Sequence, residues 1–240
     1  MADWIDTVVP PFLAKVDGVL GDGYTAVLFG SVARGEHVEG RSDVNLMLIT
    51  DRADPSTLRS LHDAFAAWRR SSRTPPILIT RAEWARAADA FPIELCDMKA
   101  AYRVLRGPDL VAGATVDPRD LRRALEAELR GKLLPLRQAY VVYAGDSAAL
   151  GQVAAESAAT VLLLLRCTLA AAGRPVPTTA DTATAAAAEL IGFPAAAVQA
   201  AARLRGERKP RLTVPEFEAY LDAVVRTAHF VDQLQLGDQS

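Results

Sequence analysis

Gly30 and Ser31 close an apolar run, Tyr24–Phe29, and after a polar excursion Ser42-Asp43-Val44-Asn45 leads a second apolar run to Thr50. These residue types, in this order, are suited to holding a polyphosphate. Glycine has no Cβ, so an anion can approach the backbone N–H groups, and the neighbouring serine hydroxyl can donate to it at the start of a short helix opening there. From Asp43 to Ile49 a strand alternates, with Asp43, Asn45 and Met47 on one face and Val44, Leu46 and Leu48 on the other. Asp43 and Asn45 thus project together at the strand's entry, facing the glycine-serine turn. Arg34 and Arg41 flank the turn, where guanidinium forks could meet a triphosphate. Solvation on a helix surface accounts equally well for Arg34, and Arg41 leans toward holding the loop. His37 has no His or Cys at metal-ligating spacing and reads as an exposed loop residue.

The arrangement resembles the DNA polymerase β-like nucleotidyltransferase superfamily, whose signature is hydrophobic-Gly-Ser, a spacer, then Asp/Glu-hydrophobic-Asp/Glu. Gly30, Ser31 and Asp43 match it position by position. The string GSVARG followed by RSD is similar to the small bacterial branch containing the minimal and the aminoglycoside nucleotidyltransferases. The resemblance implies transfer of a nucleoside monophosphate from an NTP to an acceptor hydroxyl, with release of pyrophosphate and with Mg²⁺ as cofactor. It implies that Gly30 and Ser31 hold the β- and γ-phosphates and that Asp43 ligates metal. It implies, too, an acceptor that is a small molecule or a protein, contacted by a C-terminal helical bundle. Glu126, Glu128, Tyr140 and Tyr143 of that bundle are candidates for such contacts, or ordinary helix exterior and core.

One position departs from the family pattern. Asn45 stands where the second strand carboxylate belongs. Two-metal phosphoryl transfer uses anionic oxygens to hold cations about 3.5–4 Å apart, and an amide supplies only a neutral oxygen. Asn45 is therefore a weakened metal ligand. It favours an alternative: a catalytically decayed nucleotide- or partner-binding module, regulatory or antitoxin-like.

The resemblance also implies a third acidic residue on a later strand. Ile93–Met98, after Phe91-Pro92, reads as that strand, with Glu94 as the metal ligand or general base and Asp97 in reserve. A solvated carboxylate, or one paired with Lys99 or Arg103, is the other reading. Lys99 could itself meet a phosphate.

The elements that position these residues fall into two regions. The first alternates: a helix over 5–20 interrupted by Pro10-Pro11, the two motif strands, an amphipathic helix over 55–70, a strand over 76–79, and a helix capped by Thr80 and Glu83. The aromatic pair Phe65 and Trp68 falls at core-facing helical spacing. After a Gly/Pro/Asp-rich link from Gly107 to Asp117, helices dominate: Asp117-Pro118 opens one toward Tyr143, and Ala148–Ala172 follows. A proline-rich connector at 174–179 then leads to alanine-rich helices, and Thr213 with Glu216 caps a final helix. The fold class is α+β: a mixed sheet with flanking helices over 1–112, then an all-helical domain over 113–240.

Composition narrows the function classes. The 240 residues are half apolar, carry a net charge of −2 and show no basic surplus, so nothing signals nucleic acid. The basic run Arg203–Arg211 reads as an interhelical loop. Cys96 and Cys167 sit far apart in sequence in apolar contexts, read as small buried hydrophobes, and fit a reducing cytoplasm. The N-terminal stretch has acidic residues and prolines where a signal peptide would be basic and then apolar. In Ala154–Gly173 only Ser157–Leu165 is uncharged between Glu156 and Arg166, short of the roughly 20 residues a bilayer span needs. A buried bundle helix is expected there, with no membrane. The alanine-rich helices could pack across a homodimer.

Overall fold

The computed structural model describes residues 3–36, 44–70 and 74–235, with side chains from Thr7 onward. The chain is α+β. It divides into two compact units, Met1–Phe91 with Met98–Thr115, and Pro92–Asp97 with Val116–Ser240.

In the first unit the described strands form one mixed sheet. They are β1 (Tyr24–Phe29), β2 (Asn45–Thr50), β3 (Ile77–Thr80) and β4 (Tyr102–Arg106), in the order β3-β2-β1-β4. β1 pairs antiparallel with both β2 and β4, and β2 pairs parallel with β3. β1 is buried along its whole length, as expected for a central strand of a sheet covered on both faces. On one face Ala26, Leu28, Val44, Leu46 and Leu48 pack with Val8, Phe12, Val16 and Trp68. On the other, Val27, Phe29, Met47 and Ile49 pack with Met98 and Val111.

The first face is covered by α1 (Asp3–Leu20) and by α2 (Pro55–Ser60) and α3 (His62–Trp68). Contrary to the expected interruption, α1 runs through Pro10 and Pro11. Adjacent prolines forfeit two hydrogen bonds, while Val8, Val9, Phe12, Leu13 and Val16 remain buried as one stripe. The single helix expected over 55–70 is broken at Leu61. Asp54 caps α2 through the amides of Ser56 and Thr57, and Leu58 on this turn is exposed. Phe12 instead meets Phe65 and Trp68 edge-on at 5.4 and 4.7 Å, and Trp68 Nε1 donates to the Thr74 carbonyl at 2.8 Å. The aromatic pair is core. Thr80 and Glu83 do form a capping box, though α4 (Arg81–Trp84) is a single turn, followed by α5 (Ala87–Ala90).

The expected strand over 93–98 is a helix, α6 (Pro92–Ala100). Proline at the first helical position is pre-organised for helix, and Glu, Leu, Met, Lys and Ala favour that state. A six-residue apolar-polar mixture fits either period, and packing chose the helical one: Ile93, Leu95, Asp97 and Met98 are buried, while Glu94 and Lys99 are exposed. The true strand, β4, lies just beyond.

The second unit contains α7 (Pro118–Tyr143), α8 (Ser147–Ala171), α9 (Ala180–Ile191), α10 (Ala195–Leu204) and α11 (Val214–Gln233). Asp117 caps α7 by accepting from the Arg119 amide at 2.7 Å, and Leu121, Leu125, Leu129, Leu133 and Leu136 form its buried stripe. α8 is the central helix, packing on α7, α9, α10 and α11. Among the described helices it alone is long and apolar enough to cross a membrane by length and composition. Ala154, Ala158, Val161, Leu164, Leu165 and Leu169 are nevertheless buried in this unit's core. Ala183, Ala187, Ala197 and Ala201 of the alanine-rich helices are buried there as well. A Cβ on Gly151 would meet the Arg211 backbone at 2.6 Å, so glycine lets the 210–212 segment lie against α8, where the Leu212 amide donates to the Ser147 carbonyl at 2.9 Å. Thr213 and Glu216 form the expected capping box of α11.

Candidate functional site

The C-terminal end of β1 sets the geometry. Phe29 is in register with Asn45 on β2 and with Tyr102 on β4, so these three residues share one end and one face of the sheet. Gly30, the next residue, has φ +76°, and a Cβ built there would lie 2.5 Å from Asn45 Nδ2. The half-buried Asn45 amide thus occupies the space a side chain at position 30 would need. The glycine and the second position of the strand motif are in direct apposition.

The chain then makes one turn and stops. The Arg34 amide donates to the Gly30 carbonyl at 3.1 Å, Gly35 to Val32 at 3.1 Å and Glu36 to Ser31 at 2.9 Å. With Gly35 at φ +74°, the last two bonds are those of a Schellman ending. The expected short helix is therefore a single closed turn, because a left-handed glycine ends it before a second turn can form. Val32 is buried as its anchor, and Ser31 is half-buried beside it.

Arg34 folds back over this turn. Its Nε donates to Glu36 Oε2 at 3.2 Å, and its side chain is only 9% exposed. The solvated surface arginine allowed by the sequence is not what forms: the guanidinium is held, largely out of water, within the glycine-serine turn. Glu36, to which the sequence alone assigned no role, is among the residues that hold it. The i, i+2 spacing of opposite charges across Gly35 is the signal that could have found it.

Asp43, Arg41 and His37 lie outside the described residues. The third-acid expectation is corrected in part. Glu94 sits exposed in the first turn of α6, and Asp97 is buried on the same helix, so neither is on a strand. β4, the strand that does flank β1, reads Tyr-Arg-Val-Leu-Arg and carries no carboxylate. Lys99 Nζ donates to the backbone carbonyl of Ala114. Just after β4, Asp109 accepts from the Tyr102 hydroxyl at 2.9 Å and from the Val111 and Ala112 amides at 3.0 Å. The Ala112 amide first, then the tyrosine and the Val111 amide, hold its carboxyl below the usual range, while the same bond to Asp109 raises the Tyr102 phenol. That cluster fixes the loop after β4 next to Phe29. Among the described residues, no three His, Cys, Asp or Glu side chains lie close enough to hold a metal ion.

No protein-family model matches this chain, and no curated protein matches it in sequence. Among solved structures it is similar to the spectinomycin adenyltransferase AAD(9) from Enterococcus faecialis, determined with ATP and spectinomycin. That likeness has a TM-score of 0.57 and spans 93% of this chain and 99% of the neighbour. The chain shares its fold with a nucleotidyltransferase. Identity between the two is 14%, so the likeness speaks of fold, and chemistry must be argued from the residues.

Proposed function

We propose that this chain is a nucleotidyltransferase that moves a nucleoside monophosphate from an NTP, such as ATP, to a hydroxyl of a small acceptor. The apposition of Gly30 and Asn45 carries the reading. It joins the glycine-serine turn to the start of β2, in a fold shared with an adenyltransferase determined with ATP and spectinomycin. In the glycine-serine turn the Ser31 hydroxyl donates to the phosphate oxygens. Arg34, already drawn into the turn, exchanges Glu36 for the β- and γ-phosphates, and Arg41 adds a second guanidinium. The acceptor hydroxyl attacks the α-phosphorus as the bond to the β-phosphate oxygen breaks, and pyrophosphate leaves.

Asp43 and the Asn45 amide oxygen suit a single Mg²⁺ accompanying the triphosphate. A neutral Asn45 and an acid-free β4 do not suit a pair. That ion, when bound, offsets the negative charge of the α-phosphate. Asp43 supplies the charge, Asn45 orients without adding any, and Glu94, exposed on α6, is the proton acceptor to test. Asn45 and the missing β4 carboxylate also favour a second reading, in which the same turn binds nucleotide without turnover as a decayed regulatory module.

Pyrophosphate release with Mg²⁺, each labelled NTP and a panel of aminocyclitol, aminoglycoside and protein acceptors separates the two. Activity that falls at least a hundredfold in Asp43→Ala and markedly in Glu94→Gln supports the enzyme. A silent native protein that gains activity in Asn45→Asp identifies a decayed site. Failure of both to bind any NTP removes both readings.

A further inference from the structure

The helical unit brings together two thiols that the sequence keeps far apart. Cys96 on α6 and Cys167 on α8 are both free thiols of this unit. One contact fixes their approach. The Cys167 thiol lies 3.6 Å from the carbonyl oxygen of Ile93, less than one turn before Cys96 on the same helix. The Cys167 thiol donates to that carbonyl, which sets its sulfur beside the turn of α6 that carries Cys96.

Access makes the pair unequal: Cys96 is half-buried, whereas Cys167 is fully enclosed in the helical core. A reachable thiol thus lies beside a shielded one, the arrangement of an attacking and a resolving cysteine.

We propose that Cys96 and Cys167 are an oxidisable pair that closes to a disulfide between α6 and α8 on reaction with a hydroperoxide. The Cys96 thiolate attacks a peroxide oxygen; the S–O bond forms, the O–O bond breaks and hydroxide leaves, so sulfur is oxidised and peroxide reduced. The Cys167 sulfur then attacks the Cys96 sulfur; the S–S bond forms, the S–O bond breaks, and the hydroxyl departs with the Cys167 proton as water. In sum, two thiols and hydrogen peroxide give one disulfide and two waters. The bond would tie α8 to the segment 92–97, which enters the helical unit from the sheet unit and returns to it at Met98.

The test treats the full-length native protein with a small excess of hydrogen peroxide, quenches, and measures intact mass, thiols titratable in denaturant and a non-reducing peptide map. Expected are a mass lower by two hydrogen atoms, no titratable thiol, a linked pair of peptides bearing Cys96 and Cys167, and full recovery with dithiothreitol. In Cys167→Ser the same treatment leaves a Cys96 sulfenic acid that dimedone traps, and in Cys96→Ser the remaining thiol survives. A native protein that keeps both thiols, stops at sulfinic acid on Cys96, or cross-links between chains overturns the proposal. The native peptide map decides the matter even if serine at the buried position 167 prevents folding.

Discussion

Gly30 concentrates the residue-scale argument. Its left-handed backbone is open to glycine at little cost, and the space beside its Cα is taken by the Asn45 amide. Gly30→Ala therefore combines an unfavourable φ with an overlap of side chain against side chain. We expect it to cost about 1–3 kcal/mol in urea denaturation and to weaken NTP binding by at least tenfold in titration calorimetry. Unchanged affinity would mean that nucleotide does not use this turn. Arg34 makes a related point. An arginine drawn in by Glu36 has already given up much of its hydration, so part of the cost of meeting a phosphate is met before the ligand arrives.

At the scale of elements, α11 docks on α8 and α7 through a few large side chains. Phe217 stacks near Tyr140 at 6.1 Å, and Tyr220, fully buried, shares a 2.9 Å hydrogen bond with Ser157 on α8. Burial pushes the Tyr220 phenol up to about 12, against a smaller opposing effect of Ser157. The neutral phenol is the form that the folded state tolerates. Its contribution is intact below the unfolded pKa near 10 and is lost as pH rises toward 12, because the unfolded chain ionises first. Tyr220→Phe keeps the ring and leaves Ser157 bonded to the Val153 and Ala154 carbonyls. At pH 7 it should cost under about 1.5 kcal/mol. Between pH 9 and 12 the native protein should lose more stability than the variant, by about 1–3 kcal/mol. Denaturant midpoints followed by circular dichroism across that range are the check, and parallel pH profiles would refute it.

For the molecule as a whole, α6 is the element held in common. Ile93 belongs to the core of the helical unit and Met98 to the core beneath the sheet, although both lie on one short helix. Truncating either should cost about 2–5 kcal/mol, each in its own unit. All three tryptophans lie before residue 92, so their fluorescence follows the sheet unit, while helical circular dichroism follows mainly the other. Ile93→Ala should shift the dichroism midpoint more than the fluorescence midpoint, and Met98→Ala the reverse. Equal shifts by both probes in both variants would show that the two cores melt as one. The same division bears on the domain boundary. A cut near residue 112 removes from the helical unit the segment that carries Ile93, so we place the functional limit of that unit at α6 together with residues 116 onward.

Several features were fixed by local chemistry and are legible in the string of residues. Caps at Thr80, Asp117 and Thr213 follow from side chains bonding to nearby amides, and the β1 and β2 faces follow from strict alternation. The leucine stripe of α7 and the buried course of α8 likewise follow from spacing and from charge placed at the flanks. Other features required the third dimension. The apolar pattern of PIELCDM fits two periods, and packing of Ile93 and Met98 on separate cores adds to its local helical bias, displacing Glu94 and Asp97 from a strand and leaving β4 without an acid. Local patterns also cannot show that the Asn45 amide fills the space above Gly30, or that Cys167 comes to lie beside the turn that carries Cys96. Each depends on where distant segments come to rest, and that is decided by the free energy of burying whole faces rather than by neighbours along the chain.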